Sequence, residues 1–300
     1  MLTLFALPKP FRGHFATIQR NAIGSWVQLR PKCQVVLFGD EEGTSQVAKE
    51  FGVCHVPTVA KNDYGTPLLN DVFEKAERLA SHELLCYVNC DIILMSDFIQ
   101  AVDRVSRWRK RFLMVGQCWN LDITELLAFS QPDWEGYLRV LVQQKGEPRG
   151  GYYSRYYIDY FVFPSGFYEH LPPFALVRSY FDNGLVWRAR SLKAAVVDAT
   201  HVVTPIHQHH DYSHVPGGMS SVYEGEEARR NLELAGGWTH IYAISEATHW
   251  LTPIDLRINW AGYFLARLRW KSVRAQMRRV LALTRRIRHL IGRLISLRWT

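Results

Sequence analysis

The chain has 300 residues, 48 % hydrophobic and 21 % charged, enough for one large α/β domain with a sizeable core and a short appendage. Its five cysteines are odd in number and form no Cys-x-x-Cys pair, which argues against a disulfide framework and a zinc knuckle and favours a reducing, cytoplasmic setting. The net charge of +8 is unevenly spread: residues 257–300 hold eleven Arg, one Lys and no acid, so all 28 acids fall in 1–256 with 24 Lys and Arg, for a net of −4 there.

The first apolar run, Leu2–Leu7, is too short for a secretory signal, lacks a preceding basic residue and stops at Pro8; it reads as a strand. No stretch reaches the roughly 18 apolar residues of a spanning helix. A loop with Pro8, Pro10 and Gly13 leads to a predicted helix over Thr17–Leu29, then a strand at Gln34–Phe38 ending in Gly39-Asp40. Thr44–Phe51 is predicted helical and Val53–Val56 a short strand. A helix is expected from Thr66-Pro67 to about Ala80, followed by a strand at Leu84–Val88, a helix at Phe98–Arg107 and an extended Phe112–Val115. Repeated βα units imply a mostly parallel sheet with helices on both faces. Beyond residue 120 come an aromatic, Gly-rich stretch, strands at Tyr160–Phe163 and Ala194–Val197, and a His-rich loop. Pro253 separates a body, 1–252, from a basic amphipathic helical tail, 253–300.

In such sheets ligands bind beyond the carboxyl ends of the strands, near a switch in strand order. The loops after Leu7, Phe38 and Val88 would then gather Lys9, Asp40, Asn89 and Asp91 on one rim. Asn89 and Asp91 interrupt an apolar strand two residues apart, so an extended chain projects both to one side. A carboxylate there needs compensation, and a divalent cation on a diphosphate would supply it. Capping of the next turn through Ser96 and Asp97 is the alternative.

Three further clusters stand out. Phe181-Asp182-Asn183-Gly184 offers an acid, or else an Asx turn or helix cap. In 207–214 four of the twelve histidines fall within eight residues beside Asp211, a pattern suited to a metal or a phosphate. Residues 150–160 place five tyrosines after a glycine pair, either a sugar-stacking lid or a strand packed in the core, with Asp159 as a further carboxylate. In the tail, Val273, Met277, Val280, Leu281, Ile287 and Ile291 recur at helical spacing among arginines. That suits an anionic membrane surface, with docking on the acidic body as the alternative. No nucleic-acid motif accompanies the charge, so no nucleic acid is expected.

Taken in order, these segments resemble glycosyltransferases of the GT-A fold, the nucleotide-diphospho-sugar transferases. The similarity covers roughly residues 1–250. Thr3–Phe11, Tyr87–Leu94, Asp159–Pro164 and His207–His214 in particular resemble uncharacterised bacterial members of that group. The resemblance implies a single Rossmann-like α/β domain and a nucleoside-diphosphate-sugar donor. It also implies a Mn²⁺ or Mg²⁺ ion held by Asp91, with Asn89, and by His207 or His210. Lys9, Asp40 and Asn183 would contact the donor, and Asp182, or next Asp159, would be the base for a sugar or lipid-linked acceptor. Asn89 stands where the D-x-D motif has its first Asp, and the Q-x-x-R-W signature of processive enzymes is absent. The enzyme would work in the cytoplasm, peripheral to the inner face of the membrane through residues 257–300. The competing readings are a metal-dependent hydrolase built on His207–His214, a nucleotidyltransferase, which the missing glycine-rich loop disfavours, and a non-catalytic, membrane-associated binding protein.

Overall fold

The structure, a computed structural model, describes residues 1–213, 215 and 217–268. Its strands are β1 (Leu2–Ala6), β2 (Gln34–Phe38), β3 (Cys54–Val56), β4 (Leu84–Val88), β5 (Ile92–Ile93), β6 (Phe112–Val115), β7 (Trp119–Leu121), β8 (Glu147–Pro148), β9 (Tyr160–Pro164), β10 (Ala195–Asp198), β11 (Ile206–Gln208), β12 (His249–Leu251) and β13 (Leu256–Ile258). The helices are α1 (Gly13–Gln28), α2 (Thr44–Phe51), α3 (Leu69–Leu79), α4 (Ser96–Trp108), α5 (Trp134–Lys145), α6 (Phe181–Ser191), α7 (Gly218–Glu224), α8 (Glu226–Leu234) and α9 (Trp260–Leu268).

Nine strands form one sheet in the order β13-β12-β10-β6-β9-β4-β1-β2-β3. Five of its eight neighbouring pairs are parallel; β9 runs antiparallel to both β4 and β6, and β13 to β12. This is the mostly parallel α/β architecture expected from the βα alternation. The period-two pleat divides the core. Leu4, Ala6, Cys86 and Val88 pack with Trp26 of α1 and Phe98 of α4 on one face. Phe5, Leu85 and Tyr87 pack with Phe73 of α3 and Leu185 of α6 on the other. A second sheet, β5-β11-β7-β8, sits beyond the carboxyl end of β4.

Three helices start away from the expected residue, α4 at Ser96 rather than Phe98. α1 begins four residues earlier than Thr17, at Gly13 (φ 48°), as soon as the Pro8–Pro10 segment allows. α3 begins at Leu69, because Pro67 and Leu68 are taken up in bridges to Lys61 and Ala175. Within the segment assigned to the tail, Leu256–Ile258 pairs with β12 as an edge strand of the main sheet. The rest of the amphipathic pattern, 269–300, lies outside the described residues.

The second sheet is tied to α1 by a buried amide pair. Asn21 Nδ2 donates to Gln208 Oε1 (3.0 Å) and to the Glu125 carbonyl (2.9 Å), while Leu127 N–H donates to Asn21 Oδ1 (2.8 Å). Gln208 Nε2 in turn donates to the carbonyls of Ile18 (2.7 Å) and Asp91 (3.2 Å). Both side chains are essentially inaccessible to solvent. Asn21→Leu leaves at least two buried polar groups unpaired, at about 1–3 kcal/mol each. Equilibrium urea unfolding should therefore show a loss of roughly 2–6 kcal/mol, and a loss below the cost of one such group would show that the network relaxes around the change.

Candidate functional site

β1 lies between β2 on one side and β4 on the other, so the strand order switches direction between β1 and β4. Their carboxyl ends border the crevice where ligands bind in open α/β sheets. The loop after β1 delivers Lys9, and the loop after β4 delivers Asn89 and Asp91. The Lys9 backbone is clamped on both sides by the buried Gln19 of α1: Lys9 N–H donates to Gln19 Oε1 (2.6 Å), and Gln19 Nε2 donates to the Lys9 carbonyl (2.9 Å). From this anchor Lys9 Nζ donates to Asp91 Oδ2 at 2.7 Å and to His210 Nε2 at 2.9 Å. Burial alone would raise the Asp91 carboxyl, but the Lys9 ammonium beside it holds it well below the usual carboxylate range.

β11 brings the histidines to the same place. Its backbone is tied to the acid loop, since Gln208 N–H donates to the Asp91 carbonyl (3.2 Å). His207 Nδ1 lies 2.6 Å from Asn120 Oδ1, and the Asn120 amide nitrogen is placed by His209 Nδ1 (3.3 Å). The Asn120 oxygen therefore accepts from Nδ1–H, which leaves His207 Nε2 as a bare lone pair. Burial, then the Arg149 cation, pushes the His207 imidazole well below its ordinary value and keeps it neutral. His210 is assigned in the same way: Nδ1–H donates to the Asp211 carbonyl (2.6 Å), and Nε2 faces Lys9 and Asp91.

Two buried atoms here, Asp91 Oδ1 and His207 Nε2, find no hydrogen-bond partner among the described residues. One ligand atom from each of Asp91, His207 and His210 lies within 4.8 Å of the others. A carboxylate oxygen and two imidazole nitrogens, one with its tautomer fixed by a carboxamide, fit a divalent cation. Lys9 holds the other carboxylate oxygen of Asp91, so ammonium and metal ion would share the group.

Lys9, Asp91 and His210 line a cavity of about 830 Å³, within the usual range for small-molecule sites, and His207 is buried beside them. In the same cavity Asp159 pairs with Arg149, and Asn89 Nδ2 donates to Asp159 Oδ1 at 2.8 Å. Burial pushes the Asp159 carboxyl up against the pull of Arg149. Asp182 sits in the first turn of α6 and lines the cavity; burial pushes its carboxyl up to about 7, and its Oδ1 finds no partner among the described residues. The helix enters through Val177 (φ 62°) and Tyr180 (φ 83°), both in the left-handed region and both on the cavity wall. Each costs on the order of 1–3 kcal/mol, and such strain persists where surrounding contacts over-determine it. The buried Arg178–Glu227 pair, at 2.7 Å, supplies one such contact between them.

The candidates thus separate. Lys9, Asp91, His207 and His210 converge, and Asn89, Asp159 and Asp182 face the same cavity. The strand ends at Val88, so Asn89 and Asp91 do not share the side that an extended chain would give them; Asn89 turns to Asp159 and Asp91 to Lys9. β11 likewise ends at Gln208, and the chain turns so that His210, rather than His209, joins His207. Asn183 lines the cavity, but its amide is engaged with the carbonyls of Tyr156 (3.2 Å) and Tyr242 (2.9 Å). Asp40 stands apart from the cavity, exposed and paired with Lys61 at 2.8 Å. His214 lies outside the described residues. Residues 151–156 form a 3₁₀ turn rather than a strand, Tyr156 and Tyr157 line the cavity, and the Tyr157 hydroxyl joins a chain with Tyr223 (3.2 Å) and Tyr212 (2.7 Å). Sequence reasoning passed over Arg149; a lone arginine ahead of the glycine pair was its only sign.

No known family model matches the chain, and no curated protein sequence does. Among solved structures, it is similar to S. aureus TarS at 11 % identity and a TM-score of 0.33, over 41 % of this chain and 22 % of TarS. For the 1–349 segment of S. aureus TarS in complex with UDP-GlcNAc the values are 12 % and 0.32, over 40 % and 35 %. Against glucosyl-3-phosphoglycerate synthase from Mycobacterium tuberculosis, in complex with Mg²⁺ and UDP, they are 14 % and 0.48, over 79 % of this chain and 80 % of that one. The chain therefore spans well under two thirds of the TarS chains.

Proposed function

We propose that the protein is a glycosyltransferase that moves a sugar from a nucleoside-diphosphate sugar to the hydroxyl of an envelope-, lipid- or polysaccharide-linked acceptor. The observation that carries this reading is the meeting of Lys9, Asp91, His207 and His210 at the strand-order switch, with Lys9, Asp91 and His210 lining the same cavity as Asp182. Lys9 and Arg149 bring two fixed cations to one side of the cavity, where they bind and orient a diphosphate. A divalent cation on Asp91, His207 and His210, Mn²⁺ fitting this nitrogen-rich set better than Mg²⁺, would neutralise charge on the departing nucleoside diphosphate. Tyr156, Tyr157, Tyr180 and Trp238 line the remaining wall with aromatic faces suited to sugar rings.

The step is a single displacement. The acceptor oxygen bonds to the anomeric carbon as the bond to the diphosphate oxygen breaks, and Asp182 takes the hydroxyl proton. Burial prepares Asp182 for this, because a base works best with a pKa near the working pH.

Thermal unfolding of the protein with a panel of UDP-, GDP- and dTDP-sugars, with and without Mn²⁺, is the direct test. A donor at about 100 times its Kd should add about 2.7 kcal/mol of stability. The absence of a shift with every nucleoside diphosphate would remove the transferase reading.

A further inference from the structure

We infer that α9, with the β12–β13 edge that precedes it, is a membrane-docking face whose occupant is the headgroup–acyl boundary of an anionic bilayer. The orientation of α9 is fixed. Asn259 caps it, its Oδ1 accepting from Gly262 N–H at 2.8 Å while its own N–H donates to the Thr248 carbonyl at 2.7 Å. Gly262 faces the body so closely that a Cβ there would lie 2.0 Å from the Ala247 carbonyl oxygen, and Ala266 packs against the core. The apolar side is therefore turned outward: Trp260 is 73 % exposed and Phe264 62 %, with Leu265 beside them. Ile254 in the preceding turn (85 %) and Ile258 at the end of β13 extend the same corner. An ordinary surface helix does the reverse, and an outward apolar patch of this kind marks a contact surface.

The chain itself indicates what is contacted. Residues 258–266 contain no charged side chain, and residues 267–298 then bring ten Arg and one Lys with no acid. Aromatic groups belong at the membrane interface and a following cationic segment at anionic headgroups. A second copy of the chain, packed through this face about a twofold axis, would set two such cationic segments against each other. Among the described residues no helix is long and apolar enough to cross a membrane.

Cosedimentation of the full chain with vesicles tests the inference. Wild type should bind phosphatidylcholine vesicles containing phosphatidylglycerol and, more weakly, those without it. Trp260→Ser/Phe264→Ser should lower binding to both by roughly tenfold or more, with an unchanged thermal midpoint, and Phe264→Trp should retain it. Three results would overturn the inference. Equal binding by the double variant would assign the contact to the cations alone. A lower midpoint with unchanged vesicle affinity would show that residues 269–300 cover the patch. A concentration-dependent dimer lost in the double variant, without vesicle binding by wild type, would make the face a contact between copies.

Discussion

Asp91→Asn is expected to lower donor turnover by roughly 10²–10³-fold. The substitution preserves shape and the backbone carbonyl that Gln208 holds, but it replaces an anion that faces Lys9, His210 and the bare His207 lone pair. An amide offers either a weaker oxygen or an NH₂ group turned toward Lys9, and neither neutralises the ammonium. The folded protein should also lose about 3–5 kcal/mol, because Lys9 is left buried without its counter-ion. The sign with pH is set by the direction of the shift. The carboxyl is held below its ordinary value, so its contribution is present above the ordinary carboxylate pKa and fades as pH falls below it. Urea unfolding of wild type and variant should accordingly converge at low pH. Turnover in the variant equal to wild type would exclude Asp91 from the chemistry.

The second large effect is expected at Asp182. Asp182→Asn should reduce transfer by roughly 10²–10⁴-fold, the usual contribution of a positioned base, with a smaller change in donor affinity, since Lys9 and Arg149 are untouched. The pH profile separates this role from a merely structural one. With its carboxyl pushed up to about 7, wild-type kcat/KM should climb with pH and level off above about 7, whereas the residual activity of Asp182→Asn should lack that limb. Stability runs the other way. The folded state holds the Asp182 proton that the unfolded chain releases near the ordinary carboxylate pKa, so this group's contribution falls between that value and about 7. Activity and stability are therefore predicted to diverge across the same interval. A wild-type profile flat through that range would remove Asp182 as the base.

Much of the N-terminal half is legible in the sequence, for a physical reason. Gln34–Phe38, Leu84–Val88 and Phe112–Val115 are buried apolar runs, each bounded by polar or turn residues, and their observed limits match the expected ones. Thr44–Phe51 is closed by Gly43 and Gly52, both left-handed, as glycine permits. The first turn of α6 was hidden because Asp182-Asn183-Gly184 carries turn chemistry. It is helical because packing there overrides local preference, with Gly184 close against Phe174. The site follows the same division. Lys9 and Asp91 were found because strand ends near an order switch gather ligands. Arg149 was not, because its role depends on the irregular turn at 151–156 folding Tyr157 and Asp159 back onto it. Contacts made through an irregular turn leave no periodicity to read.

β9 has a further consequence, for how the molecule is made. It is the strand that joins β4 to β6, so residues before it can pair β4-β1-β2-β3 on one side while β6 waits without a neighbour. A chain emerging from the ribosome would hold an open β4 edge until Tyr160–Pro164 arrives, and the acid at position 91 would lack its histidines until residue 210 follows. Contacts this far apart in sequence slow folding and expose strand edges to other chains. The half of the molecule that carries Lys9 and Asp91 should thus depend on chaperones until the later half is synthesised, and the candidate site is among the last parts of the molecule to be completed.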